Sequence, residues 1–402
     1  MALGALIAAY GEADGGDGLR ATLPLAGRSL LQHQVRTAAA LGASPVVVLV
    51  ERVPDGLVTA MDELIADGLS VALARNAGEA ADALAVDAPV LLIGDGIVAD
   101  RTTIERVMHA GAPAILTLPD DPGSDRWERI DGGTRWAGVA LAPSDAVGDV
   151  AAMVGDWDLP STLLRRLVQD GATRVPVRGE SSAPVMARHA GELHEFERRI
   201  MTSATPSRWD WVRARLLPWV ETPLVERLAP TGASPAGLLW GALGLLLLGA
   251  IFFGRGWLGA GLIACLLSTP LAGAAERLAA VRLQPLRRGP ELLAALPVFA
   301  SVALLALAWR LFLEAAGWGV LLAAVAVLAF AVAQRLEGRH AAHGVPAPWL
   351  LSPVNAIWAA IPFAVAGWWR AGLLVLAAWA AASFFSEQKR AHRPISAPPH
   401  PD

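Results

Sequence analysis

Two patterns of apolar residues divide the chain near residue 205. Before this point, short apolar runs alternate with amphipathic stretches of helical spacing. After it, long apolar runs follow one another with few charged residues. A membrane-spanning helix needs roughly 20 apolar residues. The sequence predicts six such helices, at residues 236–253, 257–276, 292–313, 316–334, 350–367 and 371–386.

The first half has the pattern of an α/β domain. Its strand-like runs read ALGALIAAY, PVVVLV, LSVALAR, PVLLIGDGIVAD and APAILTLP, and helical segments such as SLLQHQVRTAAALGA lie between them. This alternation predicts a parallel, Rossmann-like sheet covered by helices on both faces. Ligands of such sheets bind at the carboxyl ends of the strands. The fold expected is therefore an α/β domain followed by an all-α transmembrane domain of six helices.

Charge separates the same two halves. Residues 1–205 hold 28 acidic and 17 basic side chains, whereas the remainder holds 9 acidic and 16 basic ones. This asymmetry predicts an acidic soluble domain joined to a basic membrane domain, with no nucleic-acid partner. The single cysteine, Cys265, excludes an intrachain disulfide and a cysteine zinc cluster. The amino-terminal apolar run is short and lacks a preceding positive charge, so no cleavable signal peptide is expected.

The basic residues predict an orientation in the cytoplasmic (inner) membrane. Arginines concentrate between spans 2 and 3 and after span 4, and Lys389 and Arg390 follow span 6. Under the positive-inside rule, these loops and both termini are cytosolic. The segment 201–232 mixes tryptophan and arginine, as a helix in the membrane interface does, and Pro218 is expected to break it. The domains expected are 1–200, 201–232, 233–390 and a flexible tail, 391–402.

Two predicted strand ends carry residues suited to phosphate chemistry. The glycine-rich loop from Gly11 to Arg20 offers backbone amides and a cation for phosphates, although a flexible turn has the same composition. Asp95 follows the apolar run PVLLIG, where a carboxylate could bind Mg²⁺. The alternative is a turn aspartate that caps a helix.

The first 200 residues resemble the nucleotidyltransferases that make NDP-sugars and CDP-inositol. The resemblance rests on LPLAGRSLL and on the GD pair at Gly94–Asp95. It implies a catalytic Arg20, in the place of the family's lysine, and a catalytic, metal-binding Asp95. It implies Mg²⁺ as cofactor, an NTP (with CTP favoured) and a phosphorylated polyol as substrates. The nucleotide-binding residues that it implies are Ala8, Ala9, Gly11, Arg20 and Gly94. The loop reads AAYG, and no second metal aspartate stands in APVMARHAGELHEFERR.

The second half resembles the CDP-alcohol phosphotransferases, which have six spanning helices and usually form dimers. Their motif DxxDGxxAR places two aspartates where LAGAAERLAAVR has Ala272 and Ala275. After residue 205 the only aspartates are Asp210 and Asp402, so the metal-binding set of that family is expected to be lost. The order of the halves also resembles a fusion of inositol-phosphate cytidylyltransferase and phosphotransferase. A homodimer in contact with membrane lipids is expected.

Three functions stay open at this point. The first is a membrane-anchored nucleotidyltransferase of phospholipid or polyol-phosphate metabolism. The second is a catalytically inactive scaffold or ligand-binding pseudoenzyme, and the third is a phosphotransferase with unconventional metal ligands. A cluster of arginines could bind lipid headgroups or a diphosphate, or only fix the topology. Its members are Arg277, Arg282, Arg287 and Arg288.

Overall fold

The computed structural model describes residues 2–15, 18–84, 88–154, 158–179, 183–203, 210–284, 289–340 and 348–391. The chain forms two compact units. The first comprises Met1–Ala204 together with Ala280–Pro285, and the second comprises Thr205–Ala279 and Leu286–Asp402. We describe each unit by itself.

The first unit contains eleven described strands. They are β1 (Leu3–Ala8), β2 (Pro24–Leu25), β3 (Arg28–Ser29), β4 (Ala43–Leu49), β5 (Val71–Ala74), β6 (Val90–Ile93), β7 (Ile97–Val98), β8 (Ala114–Pro119), β9 (Thr134–Ala142), β10 (Thr173–Pro176) and β11 (Val185–Met186). Seven form one sheet in the order β10-β8-β9-β6-β1-β4-β5. Only β9 runs antiparallel to its neighbours in that sheet. The predicted α/β class with a mostly parallel, Rossmann-like sheet is confirmed.

Helices accompany the strands in the expected alternation. They are α1 (Leu30–Ala40), α2 (Asp55–Ala66), α3 (Ala77–Ala83), α4 (Arg101–His109), α5 (Ser144–Val154), α6 (Leu159–Gln169) and α7 (His194–Ser203). Two hydrophobic clusters pack on the sheet. One takes Ala5 and Ile7 of β1, and the other takes Leu6 from the same strand. Because side chains alternate along a strand, this division places a core on each face of the sheet.

The segment LPLAGRSLL folds into a tight hairpin that leads into α1. Strands β2 and β3 pair across Ala26 and Gly27, and both of these residues have positive φ. Ser29 then caps α1: its hydroxyl accepts from the Gln32 amide, and the Gln32 side chain accepts from the Ser29 amide. This capping box satisfies two amides that the helix start would leave unpaired.

The described residues of the second unit form helices and short connecting segments, and none of them forms a β-strand. Its helices are α8 (Trp211–Arg215), α9 (Leu217–Leu228), α10 (Pro235–Arg255), α11 (Leu258–Val281), α12 (Gly289–Leu311), α13 (Gly319–His340), α14 (Pro353–Ala359), α15 (Ile361–Val365) and α16 (Trp369–Ala391). The break predicted at Pro218 is confirmed, since α8 ends at Arg215 and the proline lies in the first turn of α9. A first-turn proline costs no helix hydrogen bond.

Five helices, not six, are long and apolar enough to cross a membrane. They are Pro235–Arg255, Leu258–Val281, Gly289–Glu314, Gly319–Leu336 and Trp369–Arg390. The prediction of a continuous span at 350–367 is wrong, because the apolar helical stretch there covers only Pro353–Val365. It is also divided at Ala360, directly before the α15 turn that contains Pro362. Thirteen helical residues extend about 20 Å, less than the ~30 Å hydrocarbon core.

The non-helical backbone before α14 is satisfied by side chains. The Asn355 amide donates to Leu350 O at 2.6 Å, and its oxygen accepts from Ser352 N at 2.7 Å. Ser383 Oγ accepts from Leu351 N at 3.0 Å, and Trp379 Nε1 donates to Trp349 O at 2.8 Å. Irregular backbone at membrane depth is tolerated when protein groups satisfy it in this way.

Candidate functional site

The strand order places one crevice at the centre of the sheet. Strand β1 lies between β4 on one side and β6 on the other, and all three are parallel. The chain moves outward from β1 through β4 to β5, then crosses back to β6. This reversal between β1 and β6 is a topological switch point, where open α/β sheets bind ligands at the strands' carboxyl ends. The Gly11 loop follows β1, and Asp95 follows β6.

Asp95 is a buried carboxylate at this crevice. Its side chain is 9% exposed, and Oδ2 lies 3.5 Å from Arg20 Nη1. Neither carboxylate oxygen has a hydrogen-bond partner among the described residues. Burial raises the pKa of Asp95 to about 6, although the Arg20 charge and the nearby backbone amides of Gly11 and Gly96 oppose the shift. The protein therefore holds a carboxylate whose charge is incompletely compensated.

The two glycines at this point allow a close approach to the carboxylate. A Cβ atom on Gly11 would lie 2.0 Å from Asp95 Oδ2, which is far inside van der Waals contact. A Cβ on Gly96, where φ is +68°, would lie 2.6 Å from Ala187 O. Glycine at position 11 lets the loop pass this close to Asp95, and glycine at position 96 lets the turn after Asp95 adopt a positive φ against Ala187 O. The glycine predicted for phosphate binding thus first makes room for the carboxylate.

Arg20 is held at the mouth of the loop by backbone groups. Its amide donates to Gly11 O at 2.9 Å, and its Nε donates to Glu12 O at 3.0 Å. Its side chain is 23% exposed, so the guanidinium lies between Asp95 and solvent. A guanidinium in this position can contact the oxygens of an entering phosphate while it stays near the carboxylate. The structure brings together the two predicted catalytic residues.

The other predicted nucleotide-binding residues support the loop through the sheet. Ala8 ends β1, and Ala9 donates its amide to Leu49 O at 2.9 Å. The Gly94 amide donates to Gly138 O at 2.8 Å. The Ala9 and Gly94 amides are therefore already hydrogen-bonded to the sheet, while the close approach to the Asp95 carboxylate is made by Gly11. Binding of a nucleotide by these residues stays a prediction.

The segment APVMARHAGELHEFERR, which carries no second metal aspartate, begins beside the turn that follows Asp95. Strand β11 pairs with β7, and the next residue, Ala187, donates its amide to Gly96 O at 2.8 Å. Arg188 O accepts from Asp14 N at 2.8 Å, and Arg188 Nε is buried without a hydrogen-bond partner. The positions next to the turn therefore hold an alanine and an arginine. Across the described residues, no three His, Cys, Asp or Glu side chains cluster as metal ligands.

Asp95 nevertheless fits one Mg²⁺ ion. Both of its oxygens are buried without hydrogen-bond partners, and Mg²⁺ is commonly held by one or two carboxylates together with substrate phosphates and water. A divalent cation would supply the charge compensation that Arg20, at 3.5 Å, gives only in part. One carboxylate alone would hold the cation weakly, so we expect binding to require the phosphates of a nucleotide.

Tyr10, the only tyrosine in the chain, is not among the site residues predicted from the sequence. Its hydroxyl donates to Asp158 Oδ1 at 2.8 Å, a partner 148 residues away. Burial, followed by the charge of Asp158, raises the pKa of Tyr10 above its ordinary value. Tyr10 directly precedes Gly11, so this bond ties the start of the glycine-rich loop to the residue before α6. A tyrosine where the resembled family has glycine was the available signal.

The predicted arginine cluster is only partly described. Arg277 is 7% exposed and donates from Nη1 to Thr222 Oγ1 at 3.0 Å. Arg282 is 3% exposed and donates from Nε to Ala26 O at 3.0 Å. Arg287 and Arg288 lie outside the described residues. The printed contacts of Arg277 and Arg282 are to protein groups, and their binding of lipid or diphosphate stays a prediction.

Alanines occupy the helix positions that the resemblance assigns to aspartates. Ala272 and Ala275 of α11 are buried in a cluster with Leu239, Leu243 and Leu292, from α10 and α12. The neighbouring acid, Glu276, pairs with Arg213 of α8 at 3.2 Å. The positions that the resemblance assigns to two metal-binding carboxylates are therefore filled by apolar packing.

Comparisons with known proteins found matches among solved structures. No protein-family model matches the chain, and a search of curated proteins gave no match. Among solved structures, a Bacillus anthracis protein assigned as a glucose-1-phosphate thymidylyltransferase, solved with sucrose, is similar. The match covers 49% of this chain and 94% of that one, with 14% identity and a TM-score of 0.39. At these values the match carries no statement about function, and the fold described above rests on strand order.

Proposed function

We propose that the first unit is a nucleotidyltransferase that uses an NTP and a phosphorylated polyol, and that the second unit anchors it in a membrane. The observation that carries this proposal is the position of Asp95. It is a buried carboxylate whose oxygens have no hydrogen-bond partner among the described residues. It lies at the switch point of the sheet, beside a glycine-rich loop and Arg20. Anionic ligands with a divalent cation suit this combination of charge and backbone.

The proposed reaction joins two phosphates. A phosphate oxygen of the polyol forms a bond to the α-phosphorus of the NTP, while the bond from that phosphorus to the bridging oxygen breaks and pyrophosphate leaves. When bound, Mg²⁺ would neutralise charge on the triphosphate, and Asp95 would hold it. Arg20 would contact the phosphates with a charge fixed by its bonds to Gly11 O and Glu12 O. Gly11 would keep the backbone from blocking the approach.

The second unit supports a membrane location for this chemistry. Five of its helices could span a membrane by length and composition. We propose residence in the cytoplasmic membrane, with the first unit in the cytosol, a place in phospholipid or polyol-phosphate metabolism, and a homodimer as the assembled form. Phosphotransfer by the second unit is not part of this proposal, because α11 carries Ala272 and Ala275 in an apolar cluster.

A single-carboxylate site also favours a second candidate, a nucleotide-binding pseudoenzyme. In this alternative the first unit binds an NTP through Asp95, Mg²⁺ and Arg20 without transferring it. The observation behind it is that Ala187, which bonds to the turn after Asp95, and its neighbour Arg188 supply no second carboxylate there. Two metal ions in one site generally need several carboxylates. Among the described residues, no cluster of three or more such ligands is present.

Nucleotide binding and pyrophosphate release together test both candidates. We would purify the full chain in detergent and measure Mg²⁺-dependent binding of ATP, CTP, GTP and UTP by calorimetry. Asp95→Ala should abolish the Mg²⁺-dependent part, whereas Asp62→Ala, which removes an exposed carboxylate on α2, should not change it. Binding followed by pyrophosphate release with inositol phosphate supports the enzyme. Binding without release supports the pseudoenzyme, and no binding of any NTP contradicts both.

A further inference from the structure

A cavity of about 490 Å³ lies inside the second unit. Its walls come from α10, α11, α12, α13, the stretch from Leu351 through α14 to Ala360, and α16. This volume is within the ~300–1,000 Å³ range of pockets that bind small ligands. The cavity is separate in sequence from every residue placed in the nucleotide site, since its lining begins at Phe253.

The body of the cavity is apolar. The largest contributions come from aliphatic and aromatic side chains, among them Leu262, Leu304, Leu307, Ile357, Trp369 and Leu376. Five of the helices that line it are candidate membrane spans, namely α10, α11, α12, α13 and α16. Unfilled apolar space deprives its lining of dispersion contacts, and water does not enter such space readily. Inside a bilayer, the available apolar material is the lipid chain.

Polar side chains lie at the carboxyl end of the candidate span in α13. Gln334 and Arg335 both line the cavity, and the candidate span of this helix ends at Leu336. Gln334 Oε1 is buried and has no hydrogen-bond partner in the described structure. The other two polar lining side chains, Ser301 and Ser352, already donate to Pro297 O and to the Asp210 carboxylate. The unmet polar capacity of the cavity is therefore at Gln334.

We propose that this cavity binds one anionic phospholipid, with an acyl chain in the apolar body and the headgroup at Gln334 and Arg335. The end of a spanning helix lies at the depth of lipid headgroups, where arginine attracts their phosphates. The Gln334 amide supplies both a donor for phosphate oxygens and an acceptor for a headgroup hydroxyl. The broken segment fits the same purpose, because irregular backbone at membrane depth occurs where it lines a cavity.

The shape of the broken segment contributes directly to this site. Ser352, Pro353, Ala356 and Ala360 line the cavity from the end of the extended stretch through α14. Small residues at these positions leave volume that leucine or phenylalanine would fill. A continuous helix with large side chains would close the space, so the site depends on the break near Ala360.

Lipid retention by the full-length protein tests this proposal. We would reconstitute the chain in nanodiscs with equal amounts of phosphatidylglycerol and phosphatidylcholine, extract it into mild detergent, and quantify co-purified lipid by mass spectrometry. We expect about one retained lipid per chain, with at least a fivefold enrichment of phosphatidylglycerol. Ala331→Trp fills the cavity and should lower retention at least fivefold. Ala329→Trp is the matched control, on the exposed face of the same helix.

Two further variants test the headgroup position. Arg335→Gln should reduce the preference for phosphatidylglycerol to within twofold of equality, while a lipid is still retained. Arg255→Gln, at the end of α10 and outside the cavity lining, should leave the preference unchanged. Equal retention by Ala331→Trp and Ala329→Trp would overturn the site. Equal retention of the two lipids by the unmodified protein would overturn the anionic headgroup. Neither result bears on nucleotide binding by Asp95.

Discussion

At the scale of single residues, Asp95 concentrates the energetic cost of the candidate site. Burial of an ionised carboxylate without hydrogen bonds is unfavourable, and the raised pKa of Asp95 reflects the free-energy cost of its charged form. Each pKa unit corresponds to about 1.4 kcal/mol, so the ionised form costs on the order of 2–3 kcal/mol relative to an unburied aspartate. Residues that destabilise a fold in this way are concentrated at functional sites, where a ligand compensates them.

Asp95→Asn should stabilise the unliganded protein at pH 7.5. The folded pKa, about 6, lies above the ordinary value of 3.8, so folding favours the protonated acid and stability falls as pH rises from the lower value to the higher one. The neutral amide avoids that loss. We expect the urea midpoint of the first unit, measured by proteolysis, to exceed that of the unmodified protein at pH 7.5. The gain should shrink towards pH 4.5, and a gain independent of pH would contradict the assigned cost.

Gly11→Ala should disrupt the site itself. The added Cβ would lie 2.0 Å from Asp95 Oδ2, so either the loop or the carboxylate must move. We expect Mg²⁺-dependent NTP affinity to fall at least tenfold, as calorimetry would show. Gly148→Ala, a helical position whose Cβ would meet no atom within 4 Å, serves as control and should keep the affinity. Equal affinities of the two variants would show that the loop does not need this close approach.

At the scale of elements, the broken segment before α16 is held by side chains in place of a helix. Asn355 has no exposed surface and both caps α14 with Ser352 and donates to Leu350 O. Ser352 also donates to Asp210, which caps α8. A few polar residues therefore connect the extended stretch, α14 and the helix that precedes the spans. Such networks stabilise when every member is satisfied and cost heavily when one is lost.

Asn355→Leu should destabilise the second unit, although the two side chains are similar in volume. The substitution keeps the volume but leaves Leu350 O and Ser352 N without their partners, each worth about 1–3 kcal/mol when buried. We expect a lower thermal midpoint in detergent and faster proteolysis of the loop before α14. Val354→Leu, the adjacent and less buried position, should change the midpoint little. Similar midpoints for both variants would contradict the role of the network.

At the scale of the whole molecule, the count of crossings decides where the termini lie. Five helices are long enough to span, and an odd number would place the two ends of the helical unit on opposite sides. The basic residues favour the other outcome. Arg335 lies at the end of one candidate span, and Lys389 and Arg390 lie at the end of the last, so both ends are cytosolic only if the broken segment also crosses.

Reporter fusions to the full chain measure this topology. We predict from the basic residues that the extended stretch before α14 crosses together with α14 and α15, as a broken segment and not as a continuous helix, so that green fluorescent protein fluoresces at both termini in a bacterial host. Alkaline phosphatase fused after residue 391 should be inactive, and the same reporter fused after Arg255 should be active as the matched control. Active phosphatase at the carboxyl terminus would show that the chain crosses five times and that the basic residues do not set its orientation.

The sequence determined the division of the chain and the class of each half. Apolar runs of strand length and of span length differ in period and in extent, and these local patterns survive folding. It also placed Arg20 and Asp95 as candidates, because residues at the ends of adjacent parallel strands meet at one edge of the sheet. The hydrophobic pattern was misleading only at residues 350–367, where composition suits a span but prolines limit helix length.

Only the tertiary structure decided how these residues are used. The contact of Gly11 with Asp95, the bond from Tyr10 to Asp158 and the neighbours Ala187 and Arg188 join residues far apart in the chain. So do the walls of the cavity around Gln334. Close approaches depend on distances across the fold, which periodicity and composition do not encode. Local pattern therefore established the elements, whereas packing between distant segments created the buried carboxylate and the apolar cavity.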